Sequence, residues 1–114
     1  MKTRLGMSCK VGDIILIQFP FTDLLSAKKR PVLVVKDENE YGDIVCFQIT
    51  SNAKQNNLFE INIDHLAEGE LKLRSFVKYD KCFTISTQNA DKKLAQINPI
   101  SLEKIKKMFC DEIF

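Results

Sequence analysis

Apolar residues come along this chain in short bursts, each closed by turn formers. The first, IILIQF (residues 14–19), is opened by Gly12-Asp13 and closed by Pro20. Its apolar positions fall on both faces, as in a strand covered on both sides. PVLVV (31–35) repeats that pattern, with Pro31 at the first position, where a strand tolerates proline. DENEYGD (37–43) predicts a hairpin turn and IVCFQI (44–49) its return strand. FEINID (59–64) alternates apolar and polar residues, the mark of a strand with one wet face. SFVKY (75–79) and CFTIS (82–86) predict two further short strands divided by Asp80-Lys81, while 21–29 and 50–57 read as loops. The period then changes. SLEKIKKMFCDEIF sets Leu102, Ile105, Phe109 and Ile113 on one helical stripe with lysines opposite. Pro99 ends what precedes, Ser101 is the expected N-cap, and Glu103 suits the positive end of the helix. DKKLAQI (91–97) predicts a shorter helical turn before it.

Five to seven short strands and a terminal amphipathic helix predict a mainly β fold with a C-terminal helix. A small β-barrel, one antiparallel sheet curled to protect its own edges, is the economical form at this length. The expected core is Ile15, Ile17, Phe19, Leu33, Val35, Val45, Phe47, Ile61, Val77, Ile105 and Phe109.

The chain has 114 residues, enough for one domain spanning 1–114. With 45% hydrophobic and 28% charged residues, the disordered, collagenous and membrane classes drop out. The net charge of +2 moves any electrostatic argument to local patches. The four cysteines form no C-x-x-C pair, and there is one histidine, His65, so neither a zinc centre nor any other metal or cofactor is expected. No apolar leader follows the N-terminal cations, and IILIQF is too short to span a bilayer. Reduced cysteines and the lack of an export signal point to the cytoplasm.

The residue list narrows the chemistry. One histidine, in an acidic stretch that reads as an exposed turn, does not furnish a nucleophilic triad or a nuclease built on two imidazoles. The acids sit mostly in turns, and the isolated glycines make no phosphate loop. What remains is arginine, lysines and hydroxyls. Lys28, Lys29, Arg30 and Lys36 cluster around one strand, and Lys72, Arg74 and Lys78 alternate along another, with Phe21, Phe76 and Tyr79 near in sequence. That combination suits a groove for single-stranded nucleic acid.

The ordered set GDIILIQFPFTD, then KKRPVLVV, a strand ending in ITS, and LRSFVKYDKCFTI resembles the MazF/PemK family of toxins from toxin–antitoxin pairs. The match runs from about residue 12 to 85 and, more loosely, to the terminal helix. The resemblance implies an SH3-like barrel acting as a homodimer. It implies a metal-independent endoribonuclease that cuts single-stranded RNA, usually mRNA, at short sequences, and a cognate antitoxin as partner. The family's active-site Arg and Thr map onto Arg30 and Thr50. Phe21, Lys28, Lys29, Ser51, Ser75 and Lys81 are the expected RNA-binding positions. A guanidinium is always protonated and presents fixed donors, so Arg30 is assigned to electrostatic stabilisation of the transition state. Two departures stand out: Lys81 replaces the glutamine common in relatives, and LLSAKK replaces a glycine-rich tip. The alternatives are a CcdB-like toxin that attacks gyrase, against which the lack of tryptophan counts, and a catalytically silent barrel that binds RNA or protein.

Overall fold

The structure is a computed structural model and describes residues 9–18 and 29–114. Its strands are β1 (Asp13–Gln18), β2 (Lys29–Lys36), β3 (Asp43–Thr50), β4 (Leu58–Ile61), β5 (Leu66–Gly69), β6 (Ser75–Ser86) and β7 (Ala90–Ile97), followed by helix α1 (Pro99–Ile113). All seven form one antiparallel sheet in the order β4-β6-β3-β2-β1-β7-β5. The two edge strands, β4 and β5, are neighbours in sequence, joined only by a 3₁₀ turn at Ile63–His65. Four residues cannot cross a flat seven-stranded sheet, so the sheet curls until its edges face each other as a half-barrel.

Both faces of the central strands are apolar, which explains the unbroken runs in the sequence. Ile14, Leu33, Phe47 and Val77 point toward α1, which contributes Leu102 and Ile105. Ile15, Ile17, Val32, Val34 and Cys46 form a second buried cluster on the other side. Each fully buried aliphatic side chain contributes about 1.5–3 kcal/mol. Phe109 of α1 packs on Phe47 with ring centroids 5.2 Å apart. Of the expected core, Ile15, Ile17, Leu33, Phe47, Ile61, Val77 and Ile105 are buried, while Val35, Val45 and Phe109 are partly so. Phe19 lies outside the described residues.

The Gly-Asp pair before β1 is a joint between strands. Gly12, at φ 94°, donates its N–H to Val34 O and accepts from Ile97 N, both at 2.8 Å. The buried Asp13 carboxylate accepts from Lys10 N at 3.0 Å and from Gln96 Nε2 at 3.3 Å. Lys93 lies 3.4 Å from it and also pairs with Glu68.

Four expectations are corrected. Residues 91–97 belong to strand β7: Ala95 and Ile97 are buried at a spacing of two, and pairing with β1 and β5 overrides the helical look of the lysines. Residues 75–86 make one strand rather than two. The register on β3 jumps from Phe47↔Cys82 to Gln48↔Lys78, so Tyr79, Asp80 and Lys81 are taken up as a bulge. The N-cap of α1 is Asn98, whose side chain accepts from Ser101 N at 2.8 Å, with Pro99 at the first helical position. Ser101 is buried in the first turn, which holds no acidic residue because Glu103 lies beyond it.

Candidate functional site

The β2–β3 hairpin holds Val32 opposite Gln48 and Leu33 opposite Phe47. The β2–β3 pairing ends at Val32↔Gln48, and by strand alternation Arg30 and Thr50, two residues beyond, fall on the same face as that pair. On one side Arg30 pairs with Ile17 of β1, and on the other Thr50 pairs with Phe76 of β6, itself opposite Glu60 of β4. Cross-strand partners share a face. The row Ile17, Arg30, Thr50, Phe76, Glu60 therefore crosses five strands on the face turned away from α1.

Pro31 and the buried run behind it anchor Arg30 to β2, yet its side chain is exposed. Among the described residues it has no ion-pair partner. Lys29, one residue earlier, pairs with Asp91 at 3.1 Å. Thr50 closes β3 and organises the loop that follows. Its Oγ1 accepts from Asn52 N at 3.1 Å and from Gln55 Nε2 at 3.4 Å. A hydroxyl has two acceptor lone pairs and one proton. Both lone pairs are engaged, which leaves the Thr50 proton as the group free to meet a ligand.

The far end of that loop is locked to the β6 bulge. Asn57 adopts a left-handed backbone (φ 59°), and its amide donates to Asp80 Oδ2 at 3.0 Å and to Glu112 Oε1 at 3.4 Å. Lys78 Nζ lies 2.9 Å from Asp80 Oδ1 and donates to Asn56 O at 3.0 Å. Hydrogen bonds from Asn57 and Lys78 hold the Asp80 carboxyl below the usual carboxylate range.

The other expected site residues divide. Ser51 is exposed beside Thr50, and Lys81 is exposed on the β6 bulge. Ser75 is not gathered with them: it pairs with Ile61, is buried, and donates its hydroxyl to Leu73 O at 2.8 Å. Phe21 and Lys28 lie outside the described residues. The expected alternation through LKLRSFVKY does not hold as a strand, because β6 begins only at Ser75 and Leu73 is exposed. Arg74 and Lys78 do lie on the Thr50 side of β6, but both are paired. Arg74 donates to Glu60 through Nε at 2.7 Å and Nη2 at 3.2 Å, and its guanidinium lies 5.0 Å above the Phe76 ring. Glu60 is accordingly held low and Arg74 high. Neither Glu60 nor the Asn57–Asp80 lock was anticipated. The signal for the second was an asparagine at a loop end, a residue type that tolerates φ > 0.

Other chemistries find little footing among the described residues. Burial pushes the Cys9 thiol up to about 11 and the Cys46 thiol up to about 12, so both stay protonated at neutral pH. His65 is partly buried, where an exposed turn residue was expected. Its Nδ1 accepts from Asn62 N at 2.9 Å and its ring packs on Phe59. No three His, Cys, Asp or Glu side chains among the described residues converge to hold a metal ion, and no described helix is long and apolar enough to cross a membrane. A guanidinium facing a hydroxyl donor can stabilise negative charge developing on a phosphoryl group.

The family model described as PemK-like, MazF-like toxin of type II toxin–antitoxin system matches residues 10–112. No curated protein matches the chain. Among solved structures, the fold is similar to MazE–MazF from Deinococcus radiodurans, with a TM-score of 0.70, 20% identity, and 92% of this chain and 95% of that one covered. MazF from the same organism gives 0.67, 20%, 93% and 96%. A mycobacterial endoribonuclease in complex with its cognate antitoxin gives 0.67, 14%, 90% and 90%.

Proposed function

Because the chain belongs to the PemK-like, MazF-like toxin family of type II toxin–antitoxin systems, we propose that it is an endoribonuclease that cuts single-stranded RNA, mRNA above all, without a metal. The observation that carries this reading is that Arg30 and Thr50 lie on the same face of the adjacent strands β2 and β3, with the Thr50 hydroxyl proton alone free. Cleavage uses the RNA's own 2′-hydroxyl. Its oxygen attacks the adjacent phosphorus and the bond to the 5′-oxygen breaks. A 2′,3′-cyclic phosphate and a 5′-hydroxyl result, with the proton lost by the first oxygen balanced by the one gained by the second.

The phosphorane between these states carries extra negative charge on its non-bridging oxygens. Arg30 meets that charge with a guanidinium that stays protonated at any physiological pH. Thr50 donates its hydroxyl proton to a phosphate oxygen rather than accepting one from the 2′-hydroxyl, since its lone pairs serve the loop. Lys29, Ser51 and Lys81 contact the flanking RNA. Phe21 and Lys28 are assigned the same role from the sequence alone.

Two structural relatives support the wider reading: the mycobacterial endoribonuclease is in complex with its cognate antitoxin, and the Deinococcus MazF with MazE. The present chain is proposed to act as a homodimer in the cytoplasm and to be held in check by a cognate antitoxin. The test is incubation of the purified protein with a long single-stranded RNA in EDTA, with Arg30→Ala alongside, followed by end-group analysis. Discrete fragments ending in cyclic phosphate, absent with the variant, are expected. Arg30 is exposed, so the variant should fold with stability within about 0.5 kcal/mol of the parent. Intact RNA, or cleavage by a folded Arg30→Ala protein at the parent rate, overturns the assignment.

A further inference from the structure

The row of side chains on the face away from α1 continues past Thr50. One strand on is Phe76, and one beyond that is Glu60. Arg74 binds the two together, its guanidinium lying on the Phe76 ring while its Nε and Nη2 fork onto Glu60.

Three properties follow from this geometry. Glu60 cancels the charge of Arg74, so the pair draws a phosphate only weakly. What Arg74 keeps is a flat π-surface, covered on one side by Phe76 and open on the other, with the side chain 67% exposed. The bidentate fork and the ring fix the orientation of that plane, so little side-chain freedom remains to be lost when something stacks on it. Beside it opens a surface cavity of about 330 Å³, lined by Arg74, Glu60, Asn62, Ile63 and Leu73 among others. Ile63 and Leu73 are 68% and 72% exposed, an apolar pair at the rim of a site that also carries a carboxylate and an amide.

A fixed planar cation over an aromatic ring, with apolar rims and a few polar groups, suits a flat heteroaromatic ligand. We propose that this cavity is a base-binding subsite that takes an unpaired nucleobase of single-stranded RNA, next to the phosphate held by Arg30 and Thr50. The proposal rests on the ribonuclease reading for the position of the cut, and deepens it by placing sequence preference on β4 and the start of β6. The base stacks on the outer face of Arg74. Each Glu60 oxygen keeps a lone pair after bonding Arg74, and a carboxylate only accepts. The subsite therefore favours the base edge that presents two adjacent donors to the two oxygens, guanine with its N1–H and 2-amine, over the single-donor edges of adenine, cytosine and uracil.

The experiment has two arms. In the first, short fluorescent RNA oligonucleotides, made uncleavable by 2′-deoxy substitution and varied one base at a time, are titrated into the parent protein, Arg74→Ala, Arg74→Lys and Glu60→Gln. In the second, the same proteins cut a randomised single-stranded RNA pool and the sites are sequenced. Arg74→Ala should weaken binding about tenfold, the loss expected for one base-stacking contact. Arg74→Lys, which keeps the charge and loses the plane, should behave like alanine. Glu60→Gln, which replaces one acceptor oxygen with a donor amide, should lose the preference for guanosine at one position beside the cut. A patch that serves a protein partner leaves binding and cut-site profiles unchanged in all three variants, which overturns the proposal while the ribonuclease reading stands. Binding that depends on Arg74 without any cleavage does the reverse. A parent protein that binds no oligonucleotide overturns both.

Discussion

Replacing Thr50 with valine separates the chemical from the architectural role of this residue. Valine keeps the branched shape and suits a strand end, so the change removes only the hydroxyl. Two hydrogen bonds go with it, from Asn52 N and Gln55 Nε2. Asn52 is exposed and Gln55 partly so, hence the freed donors reach water. The stability cost then falls at about 1 kcal/mol, or roughly 4 °C in melting temperature for a domain of this size. The chemical cost is of another order. Loss of one preorganised donor to a developing oxyanion lowers turnover by about 10²–10³-fold, equivalent to about 3–4 kcal/mol. Thr50→Ser keeps the hydroxyl and should restore most of that rate. The assay is single-turnover cleavage of end-labelled RNA at saturating protein in EDTA, with thermal melts of the same samples. A Thr50→Val protein that cuts within a few-fold of the parent, or a Thr50→Ser protein as inactive as valine, refutes the donor role.

Two further predictions concern the scaffold. Asp80 is held below its ordinary range, so the unfolded chain binds its proton more readily than the folded one. The stability contributed by its contacts is full above about pH 4 and fades as the pH falls through the lower folded value. Urea midpoints of the parent and Asp80→Asn should differ at pH 7 and converge toward pH 2; a constant gap contradicts the assignment. Gly69 has φ 77°, and a Cβ there would lie 2.5 Å from Leu94 O and 2.7 Å from Ala95 Cα. Gly69→Ala should cost about 2 kcal/mol or more and release amide protection along Leu66–Gly69, which hydrogen exchange would detect; a variant as stable as the parent argues against the close β5–β7 approach.

The sequence carried the fold well where burial is two-sided. The runs at 14–17 and 32–35 are apolar at nearly every position because both faces of β1 and β2 are covered, and such runs have few other readings. It misled where long-range pairing decides. Residues 91–97 look helical by local lysine spacing, but closure of the half-barrel requires a strand between β1 and β5. The β6 bulge was equally hidden, since a break at Asp80-Lys81 and a bulge there have the same local signature. For the candidate site, Arg30 and Thr50 are proposed from the family pattern. The counter-charges were not legible: an ion pair such as Arg74–Glu60 joins residues whose proximity depends on strand register. Of the cations that cluster in the sequence, Lys29, Arg74 and Lys78 are thus paired with carboxylates, while Arg30, Lys36 and Lys72 have no carboxylate partner among the described residues.

The position of β1 has a consequence for synthesis. Its first neighbour, β2, follows closely, but its second, β7, arrives with Gln96, 83 residues after Asp13. At roughly 5–20 residues per second, the ribosome takes about 4–17 s to deliver that partner. For that interval Ile14, Ile15 and Ile17 line a strand with one edge open, and the molecule exists as an unfinished sheet. The face that carries Arg30 and Thr50 thus becomes whole late, when the strand that completes the half-barrel has left the ribosome.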